Sequence, residues 1–186
     1  MGNCCCCCDC CQECCPYTDP HEYLYRLNNT QLSIIRRHCE AFKDVKYLVK
    51  KDLSFDLNGK QYVVKEGFVC DGVSSGCILS NLIGVDTAIK HDFLYATHPD
   101  TKSICDSILK PKYRRIVVGI FGNKAWQSSG QRGALIISHD ETHQISLTIC
   151  HTCDYNYVEC GQKINLSADE SHEFEDFFVA MRACNA

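Results

Sequence analysis

The chain has 186 residues, of which 45 % are hydrophobic and 10 % aromatic, so it is about one ordinary domain with enough apolar side chains for a core. Its formal charge is −4, and residues 26–186 balance, with 19 basic and 19 acidic side chains. This balance, without a basic stripe, argues against nucleic-acid binding. We find neither a secretory leader nor an apolar run of about 18 residues, and we expect the body to be made in the cytosol with reduced thiols.

The first fifteen residues hold nine of the seventeen cysteines. Met1-Gly2 exposes a glycine amine for N-myristoylation once the methionine is removed, and thiols just behind it are well placed for S-palmitoylation. One myristoyl chain binds a bilayer only marginally. Residues 1–25 contain no Lys or Arg to help it, so additional acyl chains would have to hold the tail. The candidate lipidation sites are Gly2, Cys4, Cys5, Cys6, Cys7 and Cys8.

We therefore expect residues 1–20 to form a lipidated, cysteine-rich anchor and spacer that holds the protein at the cytoplasmic face of a cellular membrane. Two alternatives remain open for this tail. It could bind soft metal ions through its thiolates, although five consecutive cysteines cannot all turn toward one ion. It could also remain unmodified.

The first predicted elements follow this spacer. Residues 22–42 mix apolar and polar side chains in a way that is compatible with one or two short helices. Residues 44–49 and 61–64 are β-prone runs on either side of Asn58-Gly59. Because both residues of a tight hairpin turn need positive φ, this dipeptide predicts a β-hairpin.

Three helices are predicted after the hairpin. The first covers residues 85–97, where apolar side chains recur at helical spacing. The second begins at Asp100 and runs to about residue 109, and the third opens at Pro111 and runs to residue 126 or 127. Residues 134–138, 144–150 and 155–159 then read as short strands, and the capping box formed by Ser167 and Glu170 starts a last helix through about residue 182.

The predicted fold class is α+β. We expect an N-terminal β-hairpin followed by a three-helix segment, then a short antiparallel β region and a C-terminal helix. We divide the folded part into a hairpin-plus-helical domain, residues 21–130, and a β-rich C-terminal extension, residues 131–186.

One constellation in the middle of the chain has side chains suited to chemistry. Asp71 lies in a glycine-bearing turn after a predicted strand, and His91 and Asp92 lie on the first predicted helix, with Tyr95 one turn beyond. An imidazole suits a general base, and a neighbouring carboxylate suits a hard cation. The alternative is that the histidine and aspartate only pack at a helix surface and that Asp71 only makes an ordinary turn.

The motifs in this region resemble those of a phage-type domain of unknown function, the family numbered 1353. The chain has GFVCDGVS at residues 67–74, HDFLY at 91–95, an acidic residue at Asp106, and VVGIFG at 117–122 with Ala125-Trp126 behind it. The resemblance covers about residues 44–127. The proline that commonly follows the serine in that family is absent, because Ser75-Gly76 stands there.

A looser resemblance is to the small microbial forms of phospholipase A2. It rests on the sequence DGVS at residues 71–74 and KHDFLY at residues 90–95. The resemblance implies that His91 deprotonates a water molecule, that Asp71 and Asp92 hold Ca²⁺, and that Asp106 orients the imidazole. The cysteine that precedes the pair in those enzymes is Ile89 here.

A second cluster is the sequence CHTC at residues 150–153, with Cys160 and His143. It has one zinc-like cysteine pair but no second pair at the customary spacing, so zinc binding and strand-borne thiols both remain open.

Two functions follow from the sequence. The first is a membrane-anchored binding or effector module without catalysis, whose partner is a membrane protein. The alternative is a lipid-anchored, Ca²⁺-assisted hydrolase of the phospholipase A2 kind, whose substrate is the phospholipid of the membrane that holds it.

Overall fold

Strands outnumber helices in the described part of the chain. The computed structural model describes residues 20–57, 59–71, 85–97, 133–153 and 155–185. The helices are α1 (Pro20–Tyr23), α2 (Asn29–His38), α3 (Val85–Thr97), α4 (Ala168–His172) and α5 (Glu175–Asn185), with a 3-10 turn at Glu40–Phe42. The strands are β1 (Leu24–Arg26), β2 (Tyr47–Val49), β3 (Leu53–Leu57), β4 (Lys60–Val64), β5 (Val69–Cys70), β6 (Gly133–His139), β7 (Ile145–Cys153) and β8 (Asn156–Asn165).

These strands form three antiparallel sheets, in the orders β1-β2-β5, β3-β4 and β6-β7-β8. The first and third sheets meet at Gly67, whose carbonyl accepts a hydrogen bond of 2.9 Å from the amide of Ile137. Gly67 has φ +85°, and a Cβ at this position would lie 2.2 Å from the Ile137 carbonyl oxygen. Glycine is therefore required where the two sheets approach.

The predicted fold class is wrong. The described part of the middle region contains one helix, α3, instead of a three-helix segment, and the described fold is a mixed one that is rich in antiparallel sheet. The second and third predicted helices fall outside the described residues. The expected helical run at residues 22–42 is interrupted by β1, because Leu24 to Arg26 pair with β2. Such long-range pairing leaves no periodic signal in a three-residue strand.

The strands β3 and β4 form an antiparallel pair, with Leu57 opposite Lys60 and Gly59 at φ +79°. Asn58 itself lies outside the described residues. The first strand of this hairpin is β3, whereas we expected residues 44–49. Of those residues, Tyr47 to Val49 form β2, the central strand of a different sheet.

Two hydrophobic cores lie on opposite faces of the sheet β1-β2-β5. Leu48 belongs to the first core and its neighbour Val49 to the second, because adjacent strand residues face opposite ways. The first core joins α2, the third sheet and the C-terminal helices, and its largest side chains are Phe174, Phe177 and Phe178. The second core joins the hairpin and α3 and contains several aromatic side chains, with Phe55, Tyr62, Phe68 and Phe93 among its members.

The C-terminal part begins with the three-stranded sheet and ends with two helices. Ser167 and Glu170 form the capping box that starts α4: the Ser167 hydroxyl accepts from the Glu170 amide at 3.1 Å, and the Glu170 carboxylate accepts from the Ser167 amide at 3.2 Å. This helix ends at His172, and the chain resumes a helical course in α5. No helix in the described ranges has the length and apolarity to cross a bilayer.

A disulfide joins Cys150 and Cys160, which are direct partners in the pairing of β7 with β8. We had expected reduced thiols throughout the body. The strand register brings these two cysteines together although they are ten residues apart in sequence. Cys39 and Cys70 are buried and take no part in this disulfide.

Candidate functional site

The end of β5 and one face of α3 bring three of the predicted site residues together. Asp71 is the first residue after β5, in which Val69 is buried in the first core and Cys70 in the second. Asp92 and His91 lie in the middle of α3. That helix has buried apolar side chains at residues 85, 88, 89 and 93, which is the spacing of one helical face. The packing of this face on the hairpin and on Phe68 therefore fixes where the aspartate and histidine lie.

The carboxyl groups of Asp71 and Asp92 are hydrogen-bonded to each other. The pKa of Asp71 is raised to about 9, mainly by burial and then by the charge and the hydrogen bond of Asp92, while His91 and Lys46 act in the opposite direction. Asp71 is thus protonated at neutral pH and donates its proton to the hydrogen bond with the Asp92 carboxylate. The Asp92 residue is only 8 % exposed, so this pair is largely shielded from water.

His91 is the third member of the cluster. Its Nδ1 lies 3.6 Å from a carboxylate oxygen of Asp92, which is an electrostatic contact longer than a hydrogen bond. Its ring lies against Tyr95, with 4.5 Å between the ring centroids and an angle of 64° between the planes. The imidazole is therefore held on one side by a carboxylate and on the other by an aromatic ring.

The remaining predicted site residues lie outside the described part of the chain. These are Asp106, which would orient the imidazole, and the lipidation sites Gly2, Cys4, Cys5, Cys6, Cys7 and Cys8. The structure brings Asp71, His91 and Asp92 together and does not place the others.

Sequence reasoning missed two residues that shape this cluster. Lys46 contributes a positive charge near Asp71. Its backbone amide donates a hydrogen bond of 2.9 Å to the carbonyl of Cys70, the residue before Asp71, and so holds Lys46 beside Asp71. The buried Thr152 hydroxyl donates to the Ala96 carbonyl at 2.9 Å and so caps the last turn of α3 from β7. Neither contact has a local sequence signal, because both join residues that are far apart in the sequence.

The cluster has the groups for proton transfer and part of a site for a hard cation. A carboxyl and a carboxylate that share one proton can exchange it for a divalent cation, and their oxygens are the ligands that Ca²⁺ prefers. Two carboxylates are, however, a small part of the six to eight oxygens that Ca²⁺ takes. Within the described ranges, no group of three or more His, Cys, Asp and Glu side chains is arranged to hold a metal ion.

The second cluster, residues 150–153 with Cys160 and His143, does not form a zinc site in the part of the chain that the structure describes. Cys150 and Cys160 are joined to each other. His143 lies before β7 and stacks on Phe178, with 4.7 Å between the ring centroids. These positions leave the cysteines and the histidine with different partners.

Comparisons with known proteins found no matching family model, no matching curated protein and no matching solved structure.

Proposed function

We propose that this protein is held at the cytoplasmic face of a membrane by an acylated tail and that its folded body is a binding or effector module for a membrane partner. The observation that carries the proposal is the tail itself: a glycine after the initiator methionine is followed by nine cysteines within fifteen residues. A glycine amine and neighbouring thiols are the substrates of N-myristoylation and S-palmitoylation, respectively.

The energetics of anchoring support several acyl chains. A single myristoyl chain gives marginal and reversible binding. Asp9, Glu13, Asp19 and Glu22 are the only charged residues before Arg26, and an anionic leaflet repels them. Two or more palmitoyl chains would overcome this repulsion and make the attachment durable.

The geometry of the acidic cluster supports a module rather than an enzyme as the primary function. The carboxyl groups of Asp71 and Asp92 are hydrogen-bonded to each other through one shared proton, and Asp92 is buried. A protonated carboxyl that donates to a carboxylate ties the end of β5 to α3, which is a stabilising contact that needs no substrate.

Cell fractionation tests the anchor. The full-length wild type is expected in the membrane fraction, and replacing Cys4 to Cys8 together by serine is expected to release most of it. Hydroxylamine, which cleaves thioesters and spares amides, should release the wild type in the same way. The buried thiol Cys39 offers the control, because Cys39→Ser removes a cysteine without touching the tail. Membrane attachment that survives both the serine variant and hydroxylamine would contradict anchoring by palmitate.

A specific observation also favours the second candidate, a Ca²⁺-assisted hydrolase of membrane phospholipid. The proximity of Asp71, Asp92 and His91 to one another is the observation that supports this candidate. In this function His91 would deprotonate a water molecule and Asp106 would orient the imidazole. Asp71 and Asp92 would contribute to holding a Ca²⁺ ion, which would supply Lewis-acid polarisation of the ester carbonyl.

Release of fatty acid from phospholipid vesicles, with Ca²⁺ and with a chelator, separates the two candidates. The hydrolase requires Ca²⁺-dependent release that His91→Asn and Asp71→Asn each lower by at least about a hundredfold. Asp86→Asn is the matched control, since this exposed aspartate lies on the same helix and pairs with Lys90 at 3.6 Å. No release by the wild type above background would end the hydrolase candidate and leave the module.

A further inference from the structure

Four basic side chains lie over aromatic rings at the edge of the second core. Lys51 lies 4.7 Å from the ring centroid of Tyr23, and Arg26 lies 5.6 Å from that of Tyr47. Lys60 and Lys90 lie 5.7 Å and 5.6 Å from the neighbouring rings of Tyr62 and Phe55. We call this set, Arg26, Lys51, Lys60 and Lys90 with their four rings, the cationic rim.

One of the four cations of the rim is paired with a carboxylate in the part of the chain that the structure describes. Lys90 pairs with Asp86. Arg26, Lys51 and Lys60 form no ion pair with a carboxylate in the described ranges. Lys51 and Lys60 instead lie near an aromatic ring, and the Arg26 guanidinium lies near the ring of Tyr47 and donates a hydrogen bond of 3.1 Å to its hydroxyl. These contacts order the cations without cancelling their charge.

Basic and acidic residues are also unevenly distributed along the sequence. Residues 26–65 contain nine basic and four acidic side chains, whereas residues 133–185 contain two basic and nine acidic ones. The acidic set includes four exposed or half-exposed residues of α4 and α5, Asp169, Glu170, Glu175 and Asp176. The rim therefore belongs to the positive half of the sequence, and the last sheet and helices belong to the negative half.

The tail enters the fold at this rim. Helix α1 starts at Pro20 and ends at Tyr23, whose carbonyl accepts a hydrogen bond of 2.8 Å from the amide of Lys50 and whose ring carries Lys51. Cys8, the last of the proposed lipidation sites, is twelve residues before Pro20, a span of at most about 43 Å. An acyl chain on Cys8 would keep the bilayer within that distance of the rim.

We propose that the cationic rim is the surface with which the folded body docks on an anionic phospholipid bilayer. This inference rests on the proposed lipid anchor, which brings the rim to the bilayer. Lysine and arginine place their charge among the headgroups while their alkyl stems remain on apolar surface, and tyrosine is suited to the same depth. The rim supplies the attraction to an anionic leaflet that residues 1–25 lack, and it turns the acidic helices away from the membrane.

Vesicle sedimentation with the full-length, unacylated chain tests the rim without the anchor. Phosphatidylcholine vesicles with and without phosphatidylserine are compared at millimolar lipid. A basic residue near an anionic surface strengthens binding about fivefold, so we expect clear binding only with phosphatidylserine, falling as salt is added. The double variant Lys51→Glu/Lys60→Glu should bind at least tenfold more weakly, and Lys51→Gln/Lys60→Gln provides a milder version if the first does not fold.

The matched control is Lys163→Glu, which makes the same charge change on an exposed lysine of β8 in the acidic half. This variant should bind as the wild type does. Equal binding to both vesicle types, binding to neither, or an equal loss in the control would overturn the proposal. Acylation is measured separately, on the tail peptide. An unacylated tail would contradict the proposed anchor but would not change the result of the vesicle experiment on the rim.

Discussion

At the scale of single residues, the environment of Asp71 strongly shifts the pKa of its carboxyl group. Its pKa is raised to about 9, mainly by burial and then by Asp92. A buried acid with a raised pKa holds its proton in the folded state while the unfolded chain has lost it. The contribution of Asp71 to folding is therefore fully present below about pH 4 and is lost as the pH rises through about 9.

Asp71→Asn is expected to remove this loss of folding stability at high pH. Asparagine keeps a donor toward Asp92 and needs no proton from solution, so the variant should be more stable than the wild type at pH 8 by on the order of 1 kcal/mol. Urea unfolding between pH 5 and 9 in the presence of a chelator measures this difference, with Asp86→Asn as the exposed control. A variant that is less stable than the wild type at every pH would contradict the claim that a protonated Asp71 donates to Asp92.

Gly67 is the residue on which the approach of the first and third sheets depends. Gly67→Ala would place a methyl group 2.2 Å from the Ile137 carbonyl oxygen at φ +85°, and we expect a loss of about 2–4 kcal/mol in the free energy of unfolding. Gly59→Ala is the matched control, because its φ is +79° but nothing lies within 4 Å of the added methyl group. It should cost only about 1 kcal/mol. Similar losses in the two variants would mean that φ alone, and not the contact between sheets, sets the requirement.

At the scale of elements, Glu170 connects α4 to α2. Besides its place in the capping box, its carboxylate contacts Nε2 of His38 at 3.0 Å and the Arg37 guanidinium at 3.2 Å. Desolvation acts to raise the pKa of Glu170, but the hydrogen bonds from His38 and the Ser167 amide and the nearby positive charges outweigh it, so the pKa is lowered. Stability from Glu170 is therefore present above its ordinary pKa and is lost as the pH falls through the lowered value.

Glu170→Gln should cost about 1 kcal/mol at pH 7, because the cap retains an acceptor while the charged contacts with α2 are lost. The difference from the wild type should disappear in strongly acidic solution. Thermal unfolding at pH 7 and pH 3 measures it, and Glu173→Gln, an exposed neighbour outside these contacts, is expected to change little. A cost that is the same at both pH values would show that charge plays no part.

Elements whose signal lies in consecutive residues were predictable from the sequence. Residues 85–97 form the expected helix, and Ser167 with Glu170 forms the expected capping box, because helical spacing and caps are local. The sheet β1-β2-β5 was not predictable, since strands of two and three residues are defined by their partners. The proximity of Asp71 and Asp92 was expected only from the resemblance to phospholipase A2. The proton that they share follows from their burial, which no sequence pattern indicates.

At the scale of the whole molecule, one small sheet is shared by two cores. The second core carries the acidic cluster and the cationic rim, and the first core carries the acidic C-terminal helices. In the proposed function the tail fixes the protein to the membrane at the end where this sheet begins. The account therefore depends most on whether the tail is acylated.

Mass spectrometry of the N-terminal peptide, from protein made in cells that carry acyltransferases, tests this claim most directly. The account predicts a myristoyl amide on Gly2 and at least two palmitoyl thioesters among the nine tail cysteines, with the thioesters lost after hydroxylamine and the amide retained. A peptide with an unacylated glycine and free thiols would contradict it.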